Sequence, residues 1–233
     1  MSGNPDIVFL SYDEPQADRN FLRLKTFAPD ARRVHGVRGI LEAYKAAAEI
    51  AQSPFFFAVE ADNWILDGFE FKIPETLAGA RLVLWQTANP VNRLRSYFGS
   101  VKLIERNAIL TMGAEAQNAV DFFLAMNASA LLVERIASET RFNTTPFLAW
   151  RAGFRECAKF TGGGIRNGPG TRLQLEAWQT LGRDRPNGNW CILGARMGAR
   201  FGSKHRGTDA LVKINDVEWL RQRFNAVAKV RTN

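Results

Sequence analysis

Two carboxylates one residue apart close an apolar run: Phe55 to Val59 leads directly into Glu60-Ala61-Asp62-Asn63. Five consecutive apolar residues predict a short strand buried on both faces. In open α/β sheets, ligands bind beyond the carboxyl ends of the strands, which is where these acids fall. Residues i and i+2 of an extended chain leave the same face, so Glu60 and Asp62 are expected to converge on one target. Close carboxylates repel unless a proton or cation joins them. A hard divalent ion, Mg²⁺ or Mn²⁺, itself held by phosphate oxygens, is the natural partner. The plainer alternative is a strand end that turns to solvent with ordinary polar residues.

The elements that must position these acids follow from the pattern around them. Ile7 to Leu10 reads as a buried strand. Ser11 and Glu14 have capping-box spacing and Pro15 suits a first helical turn, so a helix is predicted to follow. Arg32 to His35 is a second short strand. From Ile40 to Gln52, Leu41, Tyr44, Ala48 and Ala51 share one helical face, and Phe55 to Val59 is the third strand. Strand, helix, strand, helix, strand at short spacing predicts parallel strands with crossover helices, an α/β layered sheet. Beyond Asp62 the alternation weakens. Phe69 to Ile73, Arg81 to Trp85, Val101 to Ile104 and residues 130 to 142 are predicted extended. Residues 145 to 160, Leu173 to Leu181 and Val217 to Val227 are predicted helical. Thr161 to Thr171 holds five glycines and one proline and reads as a loop. No internal repeat or linker is evident, so one domain spans residues 1–233, with a basic C-terminal elaboration.

Composition excludes several classes. With 46% hydrophobic and 23% charged residues, the 233-residue chain is neither disordered nor fibrous. No apolar run approaches the roughly 20 residues of a membrane helix, and the N-terminus lacks the features of a signal peptide. Cys157 and Cys191 have no metal-type spacing and are expected as free thiols in a cytoplasm. Charge is uneven: residues 141 to 206 hold 12 Lys and Arg against three acids, a net of +9, whereas the whole chain carries +8. That third of the chain is either a solvated basic face or a surface that meets a polyanion.

An acidic D-x-D-like motif ending the third strand of a βαβαβ run resembles the nucleotide-sugar-binding half of GT-A glycosyltransferases. "DIVFLSYDEP", "RRVHGVRGILEAYKAAAEIA", "FFFAVEADNWI" and "NTTPFLAWRAGFRECAKF" together resemble glycosyltransferase-like proteins of tailed bacteriophages. The resemblance implies a GT-A-like (Rossmann-like) three-layer α/β sandwich around a mostly parallel central sheet. Residues 1–105 would be its nucleotide-sugar-binding half and 106–233 a basic acceptor-binding half. It implies a nucleotide-sugar co-substrate, UDP-linked, and a divalent metal, Mn²⁺ or Mg²⁺. Ser11, Tyr12, Asp13, His35, Lys45, Glu60 and Asp62 would then hold the donor. Asp62 would be the leading metal ligand, Glu60 the second and His205 a third. Glu60 stands where many relatives have Asp, which lengthens one ligand arm.

The same resemblance places Gly99 and Lys102 at the floor of the sugar and acceptor pocket, where Lys102 would reach phosphate; an ordinary loop leading into a strand is the alternative. Glu156 is the candidate catalytic base beside Asp62. Arg151, Arg155 and Lys159 on neighbouring turns would keep it ionised, and would equally make it the acid of a helical ion lattice. A hydroxylated base in phage DNA is the implied acceptor, met by Trp150, Arg151, Arg155, Arg166 and Lys204. Trp150, Trp178 and Trp190 offer rings for a displaced base or belong to the core. Residues 161 to 171, with Arg166, would form a flap over substrate. Two other readings stay open: transfer to a glycan or small molecule, and a non-catalytic DNA-binding protein on the same scaffold.

Overall fold

The first five elements form where the hydrophobic pattern puts them. The computed structural model describes residues 4–97, 99–164, 168 and 170–232. β1 (Asp6–Ser11), α1 (Ala17–Lys25), β2 (Arg32–His35), α2 (Ile40–Ile50) and β3 (Phe55–Glu60) follow one another closely. β2 and β3 both pair in parallel with β1, on opposite sides of it. Side chains alternate between two cores. Val8, Leu10, Val34, Phe56 and Ala58 face Leu41, Tyr44 and Ala48 of α2. Phe9, Phe57 and Val59 face Ala17 and Leu24 of α1. The two crossover helices therefore cover opposite faces, giving three layers.

After β3 the connections change character. A two-residue turn at Ala61-Asp62 leads into β4 (Asn63–Ile65). β5 (Leu82–Ala88), β6 (Arg95–Ser96), β7 (Lys102–Glu105), α3 (Arg106–Leu110), α4 (Phe122–Ala125) and β8 (Ala130–Thr140) complete this unit. The path across the sheet is β2-β1-β3-β7-β5-β8-β4, with β6 beside β5. Only β1–β2, β1–β3 and β5–β8 are parallel; β3–β7, β5–β7, β5–β6 and β4–β8 are antiparallel. The sheet is thus mixed rather than mostly parallel. Regular strand–helix–strand alternation stops after β3: the later strands are joined by loops and by the short helices α3 and α4, which allow antiparallel neighbours.

Two local expectations also change. Ser11 and Glu14 do not form a capping box: Ser11 ends β1, α1 starts at Ala17, and Glu14 Oε2 accepts from Tyr12 N at 2.8 Å. Phe69 to Ile73 is not a strand. It lays Phe71 on Phe57 and Phe69 on Trp85 at centroid separations of 5.1 and 5.8 Å, so the alternation reflects packing without a ladder.

Residues 90–94, 118–121 and 142–233 form a second compact unit. It contains α5 (Pro146–Gly162), α6 (Thr171–Thr180), α7 (Gly188–Lys204), a 3₁₀ turn over Asp209–Asn215 and α8 (Val217–Thr232). Thr145 caps α5 by accepting from Leu148 N, with Pro146 in the first turn. Trp150, Phe154, Phe201 and Leu220 centre its core. α7 is the element the sequence pattern does not announce. Its Gly194, Gly198 and Gly202 lie against the backbone of Trp150, Phe154 and Ala158, leaving no room for a Cβ. Because the paired positions increase together, the two helices run parallel. Glycines that lower helix propensity here permit a close crossing that stabilises the helix.

Cys157 and Cys191 lie in this packing as buried free thiols. Burial pushes the Cys191 thiol up to about 12, and pushes Cys157, also near Glu156, well above its ordinary value. Neither thiol should react with a disulfide reagent in the native protein at pH 8, and both should react in denaturant. A raised native pKa also means that their contribution to stability is lost as pH rises past the ordinary thiol value. Gly198→Ala should cost about 2–3 kcal/mol in chemical denaturation, because its Cβ overlaps the Phe154 carbonyl. Unchanged stability would mean the helices do not cross at this point.

Candidate active site

The carboxyl edge of β1, β2 and β3 carries most of the residues expected to bind a donor, on two faces of the sheet. Ser11 and His35 are register partners on the α1 face. Ser11 Oγ lies 3.0 Å from His35 Nδ1, and Arg33 Nε donates to Ser11 Oγ at 2.8 Å. Arg33 also pairs with Asp18 at 2.6 Å, so the exposed His35 ring is held from the α1 side. Beyond β1, Tyr12 is 47% exposed and Asp13 is exposed. A half-exposed ring and a carboxylate at this edge suit a base and a ribose.

Glu60 points the other way. It is the register partner of Leu10, on the α2 face. Its Oε1 accepts from Tyr44 OH at 2.7 Å and from Lys102 Nζ at 2.8 Å. Lys102 stands opposite Ala58 on β7. Its side chain is 1% exposed, donates also to Ser100 O at 2.8 Å, and lies 4.8 Å from the Phe123 ring centroid. The cation that joins the acidic motif is therefore a lysine of the chain itself. Lys102 cannot reach a phosphate in solvent, which corrects its expected role. Lys45, on α2, is half-buried and has no ion-pair partner among the described residues.

Asp62 lies in the β3–β4 turn, not in an extended strand, so the i, i+2 same-face argument does not apply to it. Its position is set from behind by a buried polar network. Arg141 N donates to Asp62 O at 2.6 Å, and Asn63 Nδ2 lies 3.2 Å from Asp62 Oδ1. Asn63 has no exposed surface; it also donates to Gly99 O at 2.8 Å and accepts from Ser138 Oγ at 2.6 Å. Thr140 Oγ1 donates to the same Gly99 carbonyl at 3.2 Å. Gly99 has φ +72°, a left-handed conformation that a side chain would strain. Gly99 thus shapes the support behind Asp62.

In the second unit, Trp150 is fully buried, so its ring cannot stack on a displaced base. Trp178 is buried against Phe142, and Trp190 packs on Phe224. Arg155 Nη2 donates to Asn215 Oδ1 at 2.8 Å, and Arg151 is half-buried on the same helix. Glu156 Oε1 lies 3.7 Å from Lys159 Nζ, which meets the buried Asp121 at 3.1 Å. Glu156 therefore sits at the rim of an ion lattice. Lys204 ends α7 and is exposed, and the half-buried His205 packs on Phe201 at 4.5 Å. Residues 202–204 form the end of α7. Arg166 lies outside the described residues.

Among the described residues, no three His, Cys, Asp or Glu side chains are grouped to hold a metal ion. His205 belongs to the second unit, and Glu60 Oε1 is already shared by two donors. Asp62 alone fits the form in which one carboxylate and substrate phosphates share a divalent ion.

No protein-family model matches the chain, and no curated protein matches it. Among solved structures, the bifunctional IspDF from Campylobacter jejuni aligns with a TM-score of 0.37 and 12% identity. That match covers 55% of this chain and 49% of the other, so the chain spans about half the length of that protein. The mannosyltransferase PcManGT from Pyrobaculum calidifontis, in complex with GDP-Man and Mn²⁺, aligns at 0.38 and 12% identity, covering 99% of this chain and 85% of that one. Neither likeness is close enough to assign a residue or a reaction. No helix among the described residues is long and apolar enough to cross a membrane.

Tyr44, Asn63 and Arg33 escaped the sequence reading of the site. One signal was present: Lys102 interrupts "VKLI", a strand otherwise apolar, and a lysine there must find an anion. Lys102→Met should destabilise by about 3 kcal/mol by stranding Glu60 beside an apolar chain. The double variant Lys102→Met/Glu60→Gln should recover most of that loss. Equal losses in the single and double variants would mean the pair contributes no coupling.

Proposed function

We propose that the chain is a nucleotide-sugar-dependent glycosyltransferase whose donor lies across the carboxyl edge of β1, β2 and β3. The observation that carries this reading is the reversal of winding at β1. The chain leaves β1 over one face to reach β2, then returns over the other face to β3. Such a switch point leaves a crevice between the two strand ends, here bordered by Tyr12-Asp13 and Glu60-Ala61-Asp62. In this reading Tyr12 stacks on the base and Asp13 accepts from base or ribose. His35, held by Ser11 and Arg33, borders the nucleoside. Asp62 would hold a divalent ion, which when bound would neutralise charge on the leaving nucleotide. Glu60 is a positioning residue: it fixes the end of β3 through Lys102 and Tyr44.

A UDP-linked donor comes from the family resemblance, as does the acceptor, a hydroxylated base in DNA. Exposed Arg172, Lys204 and Arg206 on the basic unit support a polyanionic acceptor. Glu156 is the proposed base for the acceptor hydroxyl. One observation favours a second reading, binding of DNA without transfer: the first acid of the motif is committed to a lysine.

Asp62→Asn separates the two. It is nearly isosteric and lies in a turn, so the unfolding midpoint should not move. Transfer of labelled sugar from a UDP-sugar, with Mn²⁺, to duplex DNA carrying a hydroxylated base should fall by at least about 100-fold. Unchanged turnover would remove Asp62 from the site, and no transfer by the wild type from any nucleotide sugar to any acceptor would favour the binding reading.

A further inference from the structure

α7 has two unlike sides. Gly194, Gly198 and Gly202 are buried against α5. Roughly half a helical turn away, Arg196, Ala199, Arg200 and Ser203 recur at i, i+3, i+4 and i+7 and line an open groove with Leu175 and Gln179 of α6 and Thr161 of α5. The groove has a volume of about 670 Å³. Among the described residues, no carboxylate lines it.

The two arginines are exposed. Arg196 Nε donates to the Gln179 carbonyl at 3.1 Å, which anchors the stem and leaves the remaining guanidinium donors toward the groove. Arg200 has no ion-pair or hydrogen-bond partner among the described residues. Thr161 Oγ1 is committed to the Cys157 and Ala199 carbonyls, and Arg206 Nε donates to Thr161 O at 2.9 Å. Two unneutralised guanidiniums with hydroxyl and amide groups, and no acid, form a receptor for an anion with several oxygens.

We propose that this groove binds the phosphodiester backbone of a nucleic acid. A backbone suits it better than a free phosphate because the charge does not end with the groove. Lys204, Arg206 and Arg172 continue it along the exposed surface of α6 and α7, and residues 141 to 206 carry a net of +9. A single small anion would use one part of such a surface; a chain of phosphates uses all of it. The inference stands on charge and shape in this unit. It deepens the DNA-acceptor reading without requiring that transfer occurs.

The test is binding of a fluorescent DNA duplex to the full chain across a salt series, with no nucleotide sugar present. Arg196→Gln/Arg200→Gln should lower the log–log salt slope by roughly 1.8, two phosphate contacts at about 0.9 each. A charge-matched control on the other unit, Arg38→Gln/Arg135→Gln, should leave the slope unchanged. Because all four side chains are exposed, the unfolding midpoint should hold in both variants. An unchanged slope in the groove variant would overturn the proposal. So would equal losses in both variants, which would trace binding to net charge alone. Broadening of the inorganic phosphate ³¹P signal that the groove variant abolishes while leaving the duplex slope intact would assign the groove to free phosphate instead. Absence of transfer by the wild type, with the slope falling as expected in the groove variant, would count against the glycosyltransferase reading and not against the groove.

Discussion

Burying an ammonium group costs several kcal/mol unless an anion and further hydrogen bonds offset it, and Lys102 meets both conditions. Glu60 supplies the anion, Ser100 the carbonyl, and Tyr44 a second hydrogen bond to the same carboxylate oxygen. These contacts tie α2, which otherwise meets the sheet through apolar packing, to the ladder that pairs β3 with β7. Apolar contacts tolerate sliding; an ion pair with a shared hydrogen bond does not. The end of β3 is therefore fixed, and with it the turn that carries Asp62. Behind that turn, Asn63, Ser138 and the Gly99 carbonyl complete a second polar support. The edge where a ligand would lie is built on buried polar groups that are already satisfied.

This arrangement changes what the acidic motif means. Two carboxylates close in sequence invite the picture of two arms around one ion. In the fold they are divided: Glu60 turns inward to a lysine and Asp62 stays at the turn. Any divalent ion at this edge then rests on one protein carboxylate and on the phosphates it accompanies. The fold thereby gives the two acids different surroundings, at positions where the sequence alone treats them alike.

Much of the first unit was legible because local and tertiary signals agreed. Phe55 to Val59 can only be buried, Ile40 to Gln52 has one apolar face, and short connections force crossovers. The direction of later strands was not legible, since antiparallel returns through turns leave little trace in periodicity. α7 was missed because its glycines argue against a helix until the backbone of α5 is brought against them. Trp150 shows the same limit: a tryptophan near basic residues reads equally as a stacking surface or as core, and only burial decides. At the carboxyl edge, the pairing of Ser11 with His35 follows from their places at strand ends. The contacts of Tyr44 and Asn63 were not legible, because their partners are 16 and 75 residues away.

The central claim is that the carboxyl edge of β1, β2 and β3 receives a nucleotide sugar. Hydrogen exchange of the full chain, with and without a panel of nucleotide sugars in Mn²⁺, addresses it directly. The account predicts that one donor protects residues 11–14, 35–39 and 60–63 together, since all three segments border one crevice. Protection confined to other segments, or no donor that protects these three, would contradict it.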